Sequence, residues 1–268
     1  MSGILTIQDL SCVGKCSLSV ALPILSAMGC TCSVLPTAVL STHTAFPDPH
    51  VKSLTEDLLP NARHWKSIGA RFDGISIGYL SDPEQAQAVL EVLELFDCPV
   101  ILDPVMGDHG KLYSRMSRAN VAAMQQLCRK ADYLLPNLTE AALLTGLPYR
   151  QQPDERYLNE LAQGLLSFGI TAAVITGIQW DESTTGFAGI HREIGQFSYR
   201  AKKLPGNQHG TGDMFSAVFS GSLLSGKAVQ DSAELAARFV EQVISSTQER
   251  SAFGAPFEQQ LPWLWQQL

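Results

Sequence analysis

Val100-Ile101-Leu102-Asp103-Pro104-Val105-Met106-Gly107-Asp108 reads as a short, wholly apolar strand that stops at an aspartate and a proline. A strand without polar alternation is buried on both faces, as in a parallel sheet covered by helices. The segment before it agrees: Asp82 is placed to cap a helix, Pro83 fits the first turn, and residues 84–96 carry helical spacing. The alternation extends in both directions. Upstream, residues 4–7 read as a strand, 17–28 as a helix closed by Gly29, 32–39 as a strand, 51–68 as a helix and 74–77 as a strand. Downstream come a helix at 119–129, a strand at 133–135, a short helix at 139–144, a helix at 157–168 and a strand at 172–175. Residues 185–190 and 196–199 read as an antiparallel hairpin, and two long helices, 212–224 and 229–246, follow. The expected fold is α/β: one domain over residues 1–268 with a mainly parallel central sheet, helices on both faces and a late antiparallel hairpin at the edge. Ligands in such sheets bind beyond the carboxyl ends of the strands, which draws attention to the polar residues there.

Bulk properties narrow the function. The 268 residues are 45% hydrophobic and 17% charged, with a formal net charge of -7, which argues against nucleic acid or an anionic membrane as the main partner. No run approaches the ~20 apolar residues of a membrane span. Residues 1–8 lack the basic start of a signal peptide, so a cytoplasmic location is expected. Cysteines 12, 16, 30, 32, 98 and 128 lack zinc-ribbon spacing and read as reduced, small hydrophobic residues.

Three strand-end motifs carry chemistry. Gly210-Thr211-Gly212-Asp213 follows a polar loop and opens an apolar helix. Glycines allow a sharp turn and close approach to a ligand, and helix N-terminal amides attract phosphate or developing negative charge. Asp213 would stand in the first helical turn, able to take a proton from a substrate hydroxyl. From these four residues alone, a plain helix-start carboxylate is an equal reading. Asp103, at a strand end, can organise metal or phosphate charge, or serve only in an Asp-Pro turn. Pro136-Asn137-Leu138-Thr139-Glu140 offers Asn137 to a phosphate and Glu140 to Mg²⁺ through water, and is equally a capping box. Asp9 ends the first strand, and His43 and Thr44 follow the second. Gly14-Lys15 lacks the surroundings of a Walker loop. Three anion-friendly motifs on separate strand ends together suit a phosphoryl-transfer site.

The ordered set Ile7-Gln8-Asp9, Ser41-Thr42-His43-Thr44, Gly78-Tyr79-Leu80, Asp103 to Asp108, Pro136 to Glu140 and Gly210 to Asp213 resembles the pyridoxal kinase family of the ribokinase-like superfamily. The glycine motif marks only the superfamily, while Asp-Pro-Val-Met-Gly with the upstream His-Thr is more specific. The resemblance implies ATP-dependent phosphorylation of the 5′-hydroxymethyl group of pyridoxal, pyridoxine or pyridoxamine, in salvage of pyridoxal 5′-phosphate, by a homodimer. It makes Asp213 the catalytic base and Gly210, Thr211 and Gly212 the anion hole. Asp103 and Glu140 would organise Mg²⁺. Asp108, Tyr113, Asn137 and Thr176 would lie on the ATP side, with Thr176 near a monovalent-cation (K⁺) site. Asp9, Thr44 and Tyr79 would line the vitamer pocket. The chain departs from the pattern at Asp9, where many members have Ser, and at Val13 and Ala45, where an aromatic residue and Gln are common. An acidic Asp9 implies a preference for pyridoxamine. The rivals are a hydroxymethylpyrimidine kinase of thiamine biosynthesis and a non-catalytic relative that binds a vitamer. A sugar kinase would need more polar residues in the pocket.

Overall fold

In the computed structural model, residues 3–204, 209–247 and 251–267 are described. The chain opens with β1 (Gly3–Val13), α1 (Leu18–Ala27), β2 (Thr31–Thr42), β3 (Val51–Ser53), α2 (Thr55–Ser67) and β4 (Gly74–Ile77). It continues through α3 (Pro83–Leu93), β5 (Val100–Leu102), β6 (Gly107–Asp108), β7 (Lys111–Leu112), α4 (Arg118–Cys128), β8 (Tyr133–Leu134), α5 (Leu138–Thr145) and α6 (Glu155–Leu166). Then come β9 (Ala172–Gln179), β10 (Thr184–His191), β11 (Gly195–Lys202), α7 (Thr211–Leu224), α8 (Val229–Ser246) and the short α9 (Leu261–Trp265).

Among the described residues nine strands form one sheet in the order β11-β10-β9-β8-β5-β4-β1-β2-β3. The six from β9 to β2 run parallel; at one edge β10 pairs antiparallel with β9 and β11 antiparallel with β10, and at the other β3 pairs antiparallel with β2. Two apolar cores lie on opposite faces, because successive strand residues point opposite ways. Leu5, Leu102 and Ala173 join the core under α2 to α6, whereas Ile4, Ile101 and Val174 join the core under α1, α7 and α8. The expected architecture, with helices on both faces and a late hairpin, is the one observed.

Two local differences matter for the site. The helix expected over 51–68 begins only at Thr55, because Val51 and Lys52 pair with Leu40 and Val39 as an extra edge strand. β1 and β2 also run well past residues 7 and 39, pairing out to Val13 and Thr42 and raising a two-stranded wall beyond the carboxyl edge. Their ladder slips at Asp9, where Thr37 and Ala38 oppose one β1 residue just after Pro36. A proline cannot donate to the ladder, and a bulge there re-aims the neighbouring side chain.

Candidate active site

The start of α7 is built on Gly210, the N-cap residue, with φ 86°. A side chain there would be strained and its Cβ would collide with the Lys15 carbonyl, so only glycine brings the α7 N-terminus against the loop before α1. Residues Met214 to Ser222 are buried along their length and fix the helix axis, leaving Thr211, Gly212 and Asp213 at the cleft. Burial pushes the Asp213 carboxyl up to about 7; the Ser17 amide opposes this, and the nearby charge of Asp9 adds to it. A carboxyl poised there is matched to proton transfer near neutral pH. The loop at 205–208, which the sequence places just before this motif, lies outside the described residues.

Asp9 is only 3% exposed and is held on the bulge by two hydroxyls of its own chain. Ser17 Oγ donates to its Oδ1 at 2.6 Å and Ser11 Oγ to its Oδ2 at 3.2 Å. Burial raises its pKa despite both bonds. Ser17 stands at the N-cap position of α1 with φ 52°, yet its side chain makes no cap bond and turns to Asp9 instead. One serine therefore touches two acids of the site: its hydroxyl holds Asp9 and its amide faces Asp213. Cys16 lies beside them, its thiol pushed up to about 12 by burial and by the charge of Asp213. Sequence reading passed over Ser17, whose only signal was a serine before a helix.

Asp103 continues the ladder beyond β5, its amide donating to the Ile77 carbonyl at 2.9 Å. Its carboxyl is raised well above the usual range by burial, then by the charges of Glu140 and Asp213, and among the described residues no hydrogen bond offsets this. Glu140 is 2% exposed. It accepts the Met106 amide at 3.0 Å on one oxygen and the Asn137 amide at 2.8 Å on the other. Burial still raises its pKa. Asn137 and Glu140 form the capping box of α5, with Asn137 Oδ1 accepting the Thr139 and Glu140 amides and Nδ2 donating to the Gly107 carbonyl at 2.8 Å. Both readings of this motif thus meet in one place: the box that caps α5 also fixes Glu140 beside Asp103. Among the described residues no three His, Cys, Asp or Glu side chains form a ready-made metal cage. A shielded carboxylate with no donor among the described residues, next to two more acids, suits Mg²⁺, which keeps waters and takes phosphate oxygens as its other ligands.

Asn137 pairs with Thr176 across an isolated parallel bridge, and the Thr176 amide donates to the Pro136 carbonyl at 2.9 Å, so the segment just beyond β8 runs alongside the middle of β9. Asp108, exposed on the β6–β7 hairpin, accepts the His109 amide at 2.7 Å. Tyr113 follows that hairpin; although the residue is 41% exposed, burial and the charges of Glu140 and Asp108 raise its hydroxyl pKa. On the other side, Thr44 and Tyr79 line a cavity of about 420 Å³ with Ala38, Leu40 and Val51. Burial and then the charge of Asp9 raise the Tyr79 hydroxyl, so Asp9 stands close behind it. His43 faces elsewhere: its Nε2–H donates to the Ala252 carbonyl at 2.9 Å, and its ring packs 4.8 Å from those of Phe46 and His209. Charge links several of the sequence-derived residues: Asp213 is felt by Asp103 and feels Asp9, Asp103 also feels Glu140, and Asp9 reaches Tyr79 at the cavity, while His43 stands apart.

Comparison with known proteins agrees with this geometry. Residues 22–256 match the phosphomethylpyrimidine kinase family model. The chain is 27% identical over 256 residues to the pyridoxine/pyridoxal/pyridoxamine kinase of Bordetella pertussis strain Tohama I, covering 92% of this chain and 89% of that one. A crystal structure of pyridoxal kinase from Lactobacillus plantarum superposes with a TM-score of 0.89 at 34% identity, over 98% of this chain and 96% of the other. A Bacteroides thetaiotaomicron protein, assigned as a phosphomethylpyrimidine kinase and crystallised with pyridoxal, superposes with a TM-score of 0.93 at 34% identity, over 98% and 95% of the two chains.

Proposed function

We propose, because the chain belongs to the phosphomethylpyrimidine kinase family and to the pyridoxal kinase branch of the ribokinase-like superfamily, that it transfers the γ-phosphoryl group of ATP to the 5′-hydroxymethyl group of a vitamin B6 vitamer. The observation that carries this reading is Asp213: a shielded carboxyl, raised to about 7, in the first turn of a helix whose N-terminus opens on the cleft. The vitamer ring lies in the cavity of Ala38, Leu40, Thr44 and Tyr79, with its hydroxymethyl toward Asp213. Asp213 takes the hydroxyl proton as the oxygen attacks phosphorus. The amides of Gly210, Thr211 and Gly212 face the phosphoryl group and oppose its negative charge. Mg²⁺, when bound beside Asp103 and Glu140, supplies charge neutralisation of the ATP phosphates. Asp108, Tyr113, Asn137 and Thr176 border the nucleotide, and the side chain of Asn137 acts chiefly by holding Gly107 and α5 in place.

A monovalent cation near Thr176, a homodimer and a place in cytoplasmic vitamer salvage complete the reading, by the same likeness to the pyridoxal kinases. Among the described residues no helix is long and apolar enough to cross a membrane. Phosphorylation of hydroxymethylpyrimidine is the second reading, favoured by the description of the matched family. The test incubates the protein with Mg-ATP and each of pyridoxal, pyridoxine, pyridoxamine and hydroxymethylpyrimidine, and reads the product by mass spectrometry. Vitamer 5′-phosphates as the main products support the proposal. A pyrimidine phosphate formed with higher kcat/KM overturns it in favour of the second reading, and tight vitamer binding without ADP release identifies a non-catalytic binder.

A further inference from the structure

We propose that Arg115 is a specificity-determining residue of the vitamer cavity, pairing its guanidinium with the ionised 3-oxygen of a 3-hydroxypyridine ring. The identity of the ring rests on the reading given above; the cation at the cavity rests on the structure. Arg115 lines the same cavity as Thr44 and Tyr79. Its backbone is fixed on both sides. The Tyr113 amide donates to the Met106 carbonyl at 3.0 Å, and the Met116 amide closes a turn on the Tyr113 carbonyl at 2.9 Å. Just beyond it, Ser117 and Asn120 form the capping box of α4, and Asn120 Nδ2 reaches the Ser81 carbonyl at 3.3 Å, tying this loop to the segment that carries Tyr79.

Among the described residues the Arg115 guanidinium makes no hydrogen bond and no salt bridge, although its charge reaches the Tyr79 hydroxyl. Asp82, the other charged residue of the lining, is committed elsewhere: Oδ1 accepts the Gln85 amide at 2.9 Å and Oδ2 the Ser81 hydroxyl at 2.5 Å. Arg115 therefore brings five N–H donors to a cavity otherwise lined by the apolar Ala38, Leu40 and Val51 and the neutral polar Thr44, Tyr79 and Ser81, beside the committed Asp82. That combination fits a flat ring bearing one anionic oxygen. The 3-hydroxyl of a 3-hydroxypyridine is such a group, because the ring nitrogen withdraws charge and favours the phenolate–pyridinium form in neutral water. Hydroxymethylpyrimidine has no such oxygen. A phosphate of the nucleotide is the other anion in the reaction, but the cavity lies at the β2–β3 edge, across β1, β4 and β5 from the Asn137–Thr176 bridge.

The experiment measures binding of pyridoxine and 3-deoxypyridoxine by calorimetry to the wild type, Arg115→Ala and Arg115→Lys, with ADP formation followed in parallel. A charge-assisted hydrogen bond sets the expected loss for Arg115→Ala at about 10- to 100-fold in Kd and KM for pyridoxine, with a smaller change in kcat. Arg115→Lys recovers part of it. The wild type should bind 3-deoxypyridoxine as weakly as Arg115→Ala binds pyridoxine, and Arg115→Ala should not distinguish the two ligands. Equal pyridoxine affinity of the wild type and Arg115→Ala overturns the assignment, as does a rise confined to the KM for ATP. A wild type that binds both ligands alike overturns it without any variant. Arg115-dependent pyridoxine binding without ADP release sustains this assignment and removes the kinase reading instead.

Discussion

Replacing Asp213 by Asn should stabilise the fold while it disables the reaction. The folded protein raises this carboxyl from its ordinary 3.8 to about 7, chiefly by burial, a rise of roughly three units. At about 1.36 kcal/mol per unit the ceiling of the effect is on the order of 4 kcal/mol. Because the folded pKa lies above the unfolded one, the folded state binds more protons across the interval between them, and stability falls as pH rises through it. The penalty is absent below about pH 4 and complete above about pH 7. Solvent reaching the cleft and local relaxation reduce it, so Asp213→Asn should gain about 1–3 kcal/mol at pH 8 and roughly a third of that at pH 5. For a chain of this size that is about 3–8 °C in Tm at the higher pH. The assay is ligand-free thermal and urea unfolding of both proteins at pH 5 and pH 8, alongside kcat. An Asn variant no more stable than the wild type at pH 8, or one whose gain is the same at both pH values, would refute the burial argument for Asp213.

Three further outcomes follow from the same geometry. The acid limb of kcat/KM against pH should fall near 7, and Asp9→Asn, which removes a neighbouring negative charge, should move it to lower pH; a limb that stays in place separates Asp9 from the base. Gly210→Ala, strained at φ 86° and pressed on the Lys15 carbonyl, should lose about 1–3 kcal/mol of stability and most of kcat; denaturant unfolding with near-wild-type values of both would contradict the close approach. Asp103→Asn should raise the Mg²⁺ concentration for half-maximal activity on the order of 10-fold with an unchanged far-UV spectrum, and an unaltered Mg²⁺ titration would take Asp103 out of the metal site.

Local chemistry made much of the fold legible. Asp82 caps α3 by accepting the Gln85 amide, as the Asp-Pro start implies, and the apolar strands β4 and β5 lie in the parallel centre of the sheet. The Asn137–Glu140 spacing supported both a cap and a ligand, and the structure shows why that choice was open: one geometry supplies the cap and aligns Glu140 with Asp103. What escaped reading depends on contacts far apart in sequence. Val51 to Ser53 carry no strong signal of their own and become a strand only because β2 offers an edge. The slip at Asp9 needs the register of β1 against Pro36, and Ser17 joins Asp9 to Asp213 only after α1 and α7 pack together. Arg115 belongs to no motif in the sequence and joins Thr44 only when folding brings both to one cavity.

The central claim, a B6-vitamer kinase with Asp213 as its base, is tested most directly by ADP release from wild type and Asp213→Ala with saturating Mg-ATP and each vitamer. The expected result is robust turnover of at least one vitamer by the wild type and a kcat lower by about 10²-fold or more in the variant, with vitamer binding retained. A variant with near-normal kcat, or a wild type that phosphorylates no vitamer, would contradict it.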